Sequence, residues 1–135
     1  MRVEPQAIAI KYLRELSLNI VRCAANADVD AVHNLRVAVR RTTQVLRIFK
    51  DHFPNATVGK LRRNIRKVRN HAAPVRDRDV THDLLLKLNL PPNDPACAFL
   101  RGERAMAACQ LQNYLGKLIR RGKPKSWIDL LAAKE

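Results

Sequence analysis

The sequence predicts an all-α protein, an antiparallel four-helix bundle closed by a short C-terminal helix. Three observations predict it. Hydrophobic residues make up 47% of the 135 residues but aromatic residues only 4%, so the core must be built from Leu, Val, Ile and Ala, a composition that suits helices better than packed strands. Apolar residues recur at steps of three and four along each long segment, which is the period of one helix face. Proline- and glycine-containing breaks separate those segments by short connections, as an antiparallel bundle requires.

The first helix is expected from Pro5 to about Ala25. Proline suits a first helical position because its missing N–H has no partner there in any case. Its core face comprises Ala9, Leu13, Leu16, Ile20 and Cys23. The loop 26-NADVD-30 offers Asp28 or Asp30 as N-cap of a second helix, which is expected to reach about Phe53 before 54-PNATVG-59 stops it. The seam of that helix is Val32, Leu35, Val39, Leu46, Phe49 and Phe53. In the third helix Val58, Leu61, Ile65, Val68 and Ala72 form the seam. Pro74 is expected to kink or end it, with 75-VRDRDVTHDLLLKL-88 resuming. After the break 89-NLPPNDP-95, a fourth helix covers about Ala96 to Arg121, its seam formed by Leu100, Ala107, Leu111, Tyr114 and Leu118. The tail 126-SWIDLLAAK-134 is amphipathic, and Trp127, Leu130 and Leu131 can pack back. The whole chain reads as one domain.

Charge is the strongest functional signal. With 26 Lys and Arg against 12 Asp and Glu, the formal net charge is +14, a field that attracts polyanions: nucleic acid, anionic lipid or phosphate polymers. Half of those cations lie between residues 33 and 78, where the only acids are Asp51 and Asp77. A merely solvated face mixes its signs, and this one does not. His33, Arg36 and Arg40 follow each other at helical spacing, so their Cβ atoms lie roughly 5–6 Å apart in a ladder. Arg47 continues the stripe. Lys60, Arg63 and Lys67 flank the third seam on one side, and Arg62, Arg66 and Arg69 on the other. Arginine predominates, and its planar fork grips phosphate oxygens in pairs. Two ladders on adjacent helices make a groove with like charge on both walls.

These residues carry a resemblance. His33, Arg36, Val37, Arg40 and Arg41 stand in an H-x-x-R-V-x-x-R-R pattern, and 76-RDRDV-80 matches an R-D-x-D-V motif. In order and spacing the chain resembles the CHAD domain, a conserved-histidine α-helical family, from about Pro5 to Leu131. The resemblance implies an α-helical module that binds inorganic polyphosphate in a basic cavity, without catalysis. It carries that role to His33, Arg36, Arg40 and Arg41. The stripe argument, together with the family's basic lining, adds Arg47, Lys60, Arg63 and Lys67. Arg76 of the second motif joins them, or else pairs with Asp77 or Asp79. The chain departs from the family pattern at Thr42 and Thr43, where another basic residue is usual, and at 72-AAP-74, where Leu-Gly is usual. Family members usually hold two such bundles, so a homodimer is the expected way for this one to complete the pair.

Other functions are weighed against this one. Nucleic acid would bind at low salt through the same charge, but single-strand binders need stacking platforms, and the aromatic residues lie off the basic stripes. An enzyme acting on phosphates needs a nucleophile or metal-holding carboxylates; no P-loop, G-x-G-x-x-G or H-E-x-x-H is present. Asp79 and Asp83 are one turn apart, but neutralising nearby arginines is the commoner use of such acids. No cofactor or resident metal is called for. Cys23, Cys97 and Cys109 have neither C-x-x-C spacing nor an even number, which points to reduced thiols and a cytoplasmic protein; the polyphosphate reading extends that to polyphosphate granules. No segment approaches the ~20 apolar residues of a membrane span, and the start is interrupted by Lys11 and Arg14 before a secretory signal could form.

Overall fold

The computed structural model describes residues 4–133. Five α-helices follow in order: α1 Pro5–Ala25, α2 Val29–Ile48, α3 Asn55–Lys87, α4 Pro95–Arg120 and α5 Lys123–Ala132. Helix α1 packs on α2, α4 and α5, while α3 packs on α2 and α4. The four long helices thus close into a ring with α1 and α3 on one diagonal, and α5 lies against α1.

Capping chemistry sets the ends. Pro5 stands in the first turn of α1. Asp28 caps α2 by accepting from the Ala31 N–H at 2.8 Å. Asp94 caps α4 by accepting from the Ala96 N–H at 2.9 Å, with Pro95 as the first helical residue. Gly122, at φ +65°, makes the left-handed turn between α4 and α5, a conformation that costs glycine no side-chain clash.

The core face expected for α1 is the one buried: Ala9, Leu13, Leu16, Ile20 and Cys23. Residues of all five helices join it in one continuous cluster, which includes Leu35, Leu46, Leu61, Ile65, Leu111, Leu115, Trp127 and Leu131. Trp127 is 1% exposed, so the C-terminal helix does pack back. Burial pushes the Cys23 thiol up to about 11, which leaves it a small hydrophobe rather than a nucleophile.

Two expectations about helix ends change. Helix α2 stops at Ile48, not near Phe53. Lys50–His52 tighten into a 3₁₀ turn, and Phe53 adopts φ −132°, ψ 155°, the extended geometry required before Pro54. Phe49 is therefore only half-buried and lies edge-on to His52. In the second change, Pro74 does not end α3, which runs unbroken for 33 residues. Proline removes one N–H from the ladder, but buried Ala72 and Val75 on either side hold the segment in the core.

Thr42 explains its own departure from a basic residue. It is 1% exposed, and its hydroxyl lies within hydrogen-bond distance of the carbonyls of Ala38 (2.8 Å) and Tyr12 (3.2 Å), tying α2 to α1. A lysine or arginine there would bring a charge into the core.

Candidate functional site: an arginine-lined cleft between α2 and α3

Along α2, residues 33, 36, 40, 44 and 47 fall on one line, because steps of three and four return to nearly the same side of a helix. Helix α3 offers a matching line. Residues seven apart differ by only about 20° around the axis, so Arg62, Arg69 and Arg76 share a side. Where the two lines meet, an open cleft of about 320 Å³ is lined by His33, Arg36, Val37, Val39, Arg40, Thr43, Gln44, Arg69 and Arg76. Four arginines and a histidine thus converge from two helices.

None of these arginines is paired with a carboxylate among the described residues. The ion pairs found among the described residues are Arg78 with Glu103 and Arg104 with Asp79, both directed to α4. The cleft is consequently an uncompensated cationic cluster. Arg36 records this most directly. Burial holds its pKa below the usual arginine value, Arg76 adds to the effect, and Arg69 and Arg40 contribute further; Asp77 partly offsets them. A lowered pKa for a cation means that the charged form costs the folded state. A bound anion would relieve that cost at neutral pH.

Of the residues singled out from sequence, the structure brings His33, Arg36, Arg40 and Arg76 together. Arg41 is exposed about 100° round α2 from Arg40 and does not line the cleft. Arg47 continues the α2 line but lies beyond the cleft lining. Lys60, Arg63 and Lys67 are exposed on other sides of α3. Lys60 and Lys67 share the flank of His71, which stacks on Tyr114 of α4 with ring centroids 3.8 Å apart. Arg63 folds back along its own helix, its guanidinium 3.5 Å from the position of a Cβ on Gly59. The wall facing α2 is instead formed by Arg69 and Arg76. The alternative pairing for Arg76 is also displaced, because Asp79 accepts two hydrogen bonds from Arg104, at 2.9 and 3.3 Å. Thr43 and Gln44 were not anticipated; they follow from the α2 line once its partner is known.

No group of three or more His, Cys, Asp or Glu side chains is placed to hold a metal among the described residues. Nor is any described helix long and apolar enough to cross a membrane.

Fold and cleft together define a helical bundle with an arginine-lined groove. A family model described as the CHAD domain matches residues 7–133, and the chain belongs to that family. Neither the curated proteins nor the solved structures return a match to the chain.

If the arginines repel one another in the free protein, removing one should stabilise it. Arg36→Gln is expected to raise the melting temperature by about 1–3 °C at low salt, since like-charge pairs cost a few tenths of a kcal/mol each. The gain should shrink in high salt, which screens the repulsion. A melting temperature that falls at every salt concentration would make Arg36 a structural residue.

Proposed function

We propose that the α2–α3 cleft binds inorganic polyphosphate and performs no chemistry on it. The observation that carries this reading is the convergence of Arg36, Arg40, Arg69 and Arg76 with His33 on one open cleft in which no arginine has a carboxylate partner among the described residues. Guanidinium forks suit the paired oxygens of successive phosphates, and walls parallel to the helix axes suit a linear chain. Membership of the CHAD family supports the same ligand through the polyphosphate binding associated with that family.

Nucleic acid is the second reading, favoured by the net charge of +14. It is the weaker one, because apart from His33 the cleft lining contains no aromatic ring on which a base could stack. In the preferred reading the protein is cytoplasmic, associates with polyphosphate granules, and pairs with a second copy to supply the other bundle. Sedimentation tests the pairing: a dimer is expected with polyphosphate bound, and a monomer both free and bound would remove it.

The ligand itself is tested by competition between long-chain polyphosphate and single-stranded nucleic acid over a range of salt. Both are expected to bind at low salt, where counterion release dominates. At physiological salt polyphosphate should remain bound while nucleic acid dissociates. Parallel loss of the two would leave a general polyanion binder.

A further inference from the structure

The 76-RDRDV-80 segment points in two directions. Arg76 faces α2 and lines the cleft, whereas Arg78 and Asp79, two and three residues on, reach the opposite neighbour, α4. Arg104 grips Asp79 through both carboxylate oxygens, and the two side chains are only 24% and 14% exposed. Arg78 donates to the Pro74 carbonyl at 3.2 Å and meets Glu103 at 3.5 Å. Both contacts lie immediately after Pro74, where α3 lacks one rung of its hydrogen-bond ladder. Arg69 lies before that missing rung and Arg76 after it. The relative placement of the two arginines therefore rests less on the helix backbone than on what α3 is fastened to.

We infer that the Asp79–Arg104 pair is a positioning latch, fastening the part of α3 beyond Pro74 to α4 so that Arg76 stands opposite Arg36 across the cleft. Arg78, spanning the Pro74 carbonyl and Glu103, reinforces it. The pair is two-pronged and half-buried, the geometry in which a carboxylate–guanidinium contact is strongest and most directional. Asp79 thereby serves an anion site while carrying a negative charge of its own.

That last point gives the inference a distinctive sign. The latch rests on reading the cleft as an anion site, and Asp79→Asn raises the formal net charge by one. On charge alone the variant should bind polyphosphate more tightly. The latch predicts weaker binding, by about fivefold to tenfold, the usual size of coupling between contacting side chains. The loss should depend on Arg76: in an Arg76→Ala background, Asp79→Asn should change affinity by less than about twofold. The double variant Asp79→Asn with Arg104→Gln restores the net charge and should still bind weakly. Helicity by circular dichroism checks that each variant folds. Amide hydrogen exchange on the free protein supplies a reading independent of any ligand. Exchange at residues 75–80 should quicken in Asp79→Asn while that of α1 stays unchanged. Unchanged exchange at 75–80, or exchange quickened throughout the protein, overturns the latch, whatever the ligand. Equal or tighter polyphosphate binding by Asp79→Asn also overturns it, as does an equal loss in the Arg76→Ala background. If wild type fails to bind polyphosphate, the ligand reading falls, and the exchange result still decides the latch.

Discussion

The structure depends on holding like charges face to face across α2 and α3. Four arginines and a histidine would separate if their side chains alone decided the matter. The apolar seam beneath them prevents it. Leu35 and Val39 on α2, and Leu61, Ile65, Val68, Ala72 and Val75 on α3, are buried, and each large aliphatic side chain taken out of water contributes about 1.5–3 kcal/mol. A like-charge pair on exposed helix surface costs roughly 0.2–0.5 kcal/mol. The seam therefore wins by a wide margin, and the repulsion is retained in the free protein. An anion that enters the cleft meets side chains whose backbones are already placed, so less of its binding energy is spent on ordering the site.

The same arrangement explains how the protein disposes of its acids. In the R-D-R-D segment, Arg76 faces the cleft while Arg78 and Asp79 are bound to α4. Asp79 is neutralised by Arg104 on the far side of α3, away from the groove. Asp77, by contrast, partly offsets the repulsion felt by Arg36. Placement of carboxylates thus shapes the cationic cleft as much as placement of arginines does.

Much of the fold was legible in the sequence because helical period and capping are local properties. The five buried residues of α1 follow from spacing alone, and residue type narrows the cap of α2 to Asp28 or Asp30, of which the structure uses Asp28. Pro74 was less legible, since its intrinsic penalty is local but the packing of Ala72 and Val75 that outweighs it is not. Phe49 looked like a seam residue because periodicity does not register the extended geometry that Pro54 imposes on Phe53; Phe53 still packs against the core, but from beyond the end of the helix. The site was half legible. Spacing fixes that His33, Arg36 and Arg40 share a line, and likewise Arg62, Arg69 and Arg76. Spacing alone does not say which flank of α3 meets α2 and which meets α4, because that depends on the direction in which the bundle closes. Lys60 and Lys67 accordingly lie on the α4 flank, and Arg69 and Arg76 take the place expected of them. The seven-residue repeat of arginines was the available signal.

Whether the cleft or merely the net charge recognises the anion is decided by two charge-matched variants. Arg36→Gln with Arg76→Gln removes two of the four arginine charges of the cleft; Lys60→Gln with Lys67→Gln removes the same charge from the other flank of α3. Titration of both with long-chain polyphosphate at physiological salt should show the cleft variant losing more than about tenfold in affinity, each lost charge-assisted contact counting for at least ~1.5 kcal/mol. The flank variant should remain within about threefold of wild type, as expected for exposed charges screened by salt. Equal losses in the two variants would contradict a shaped site and leave only a diffuse cationic surface.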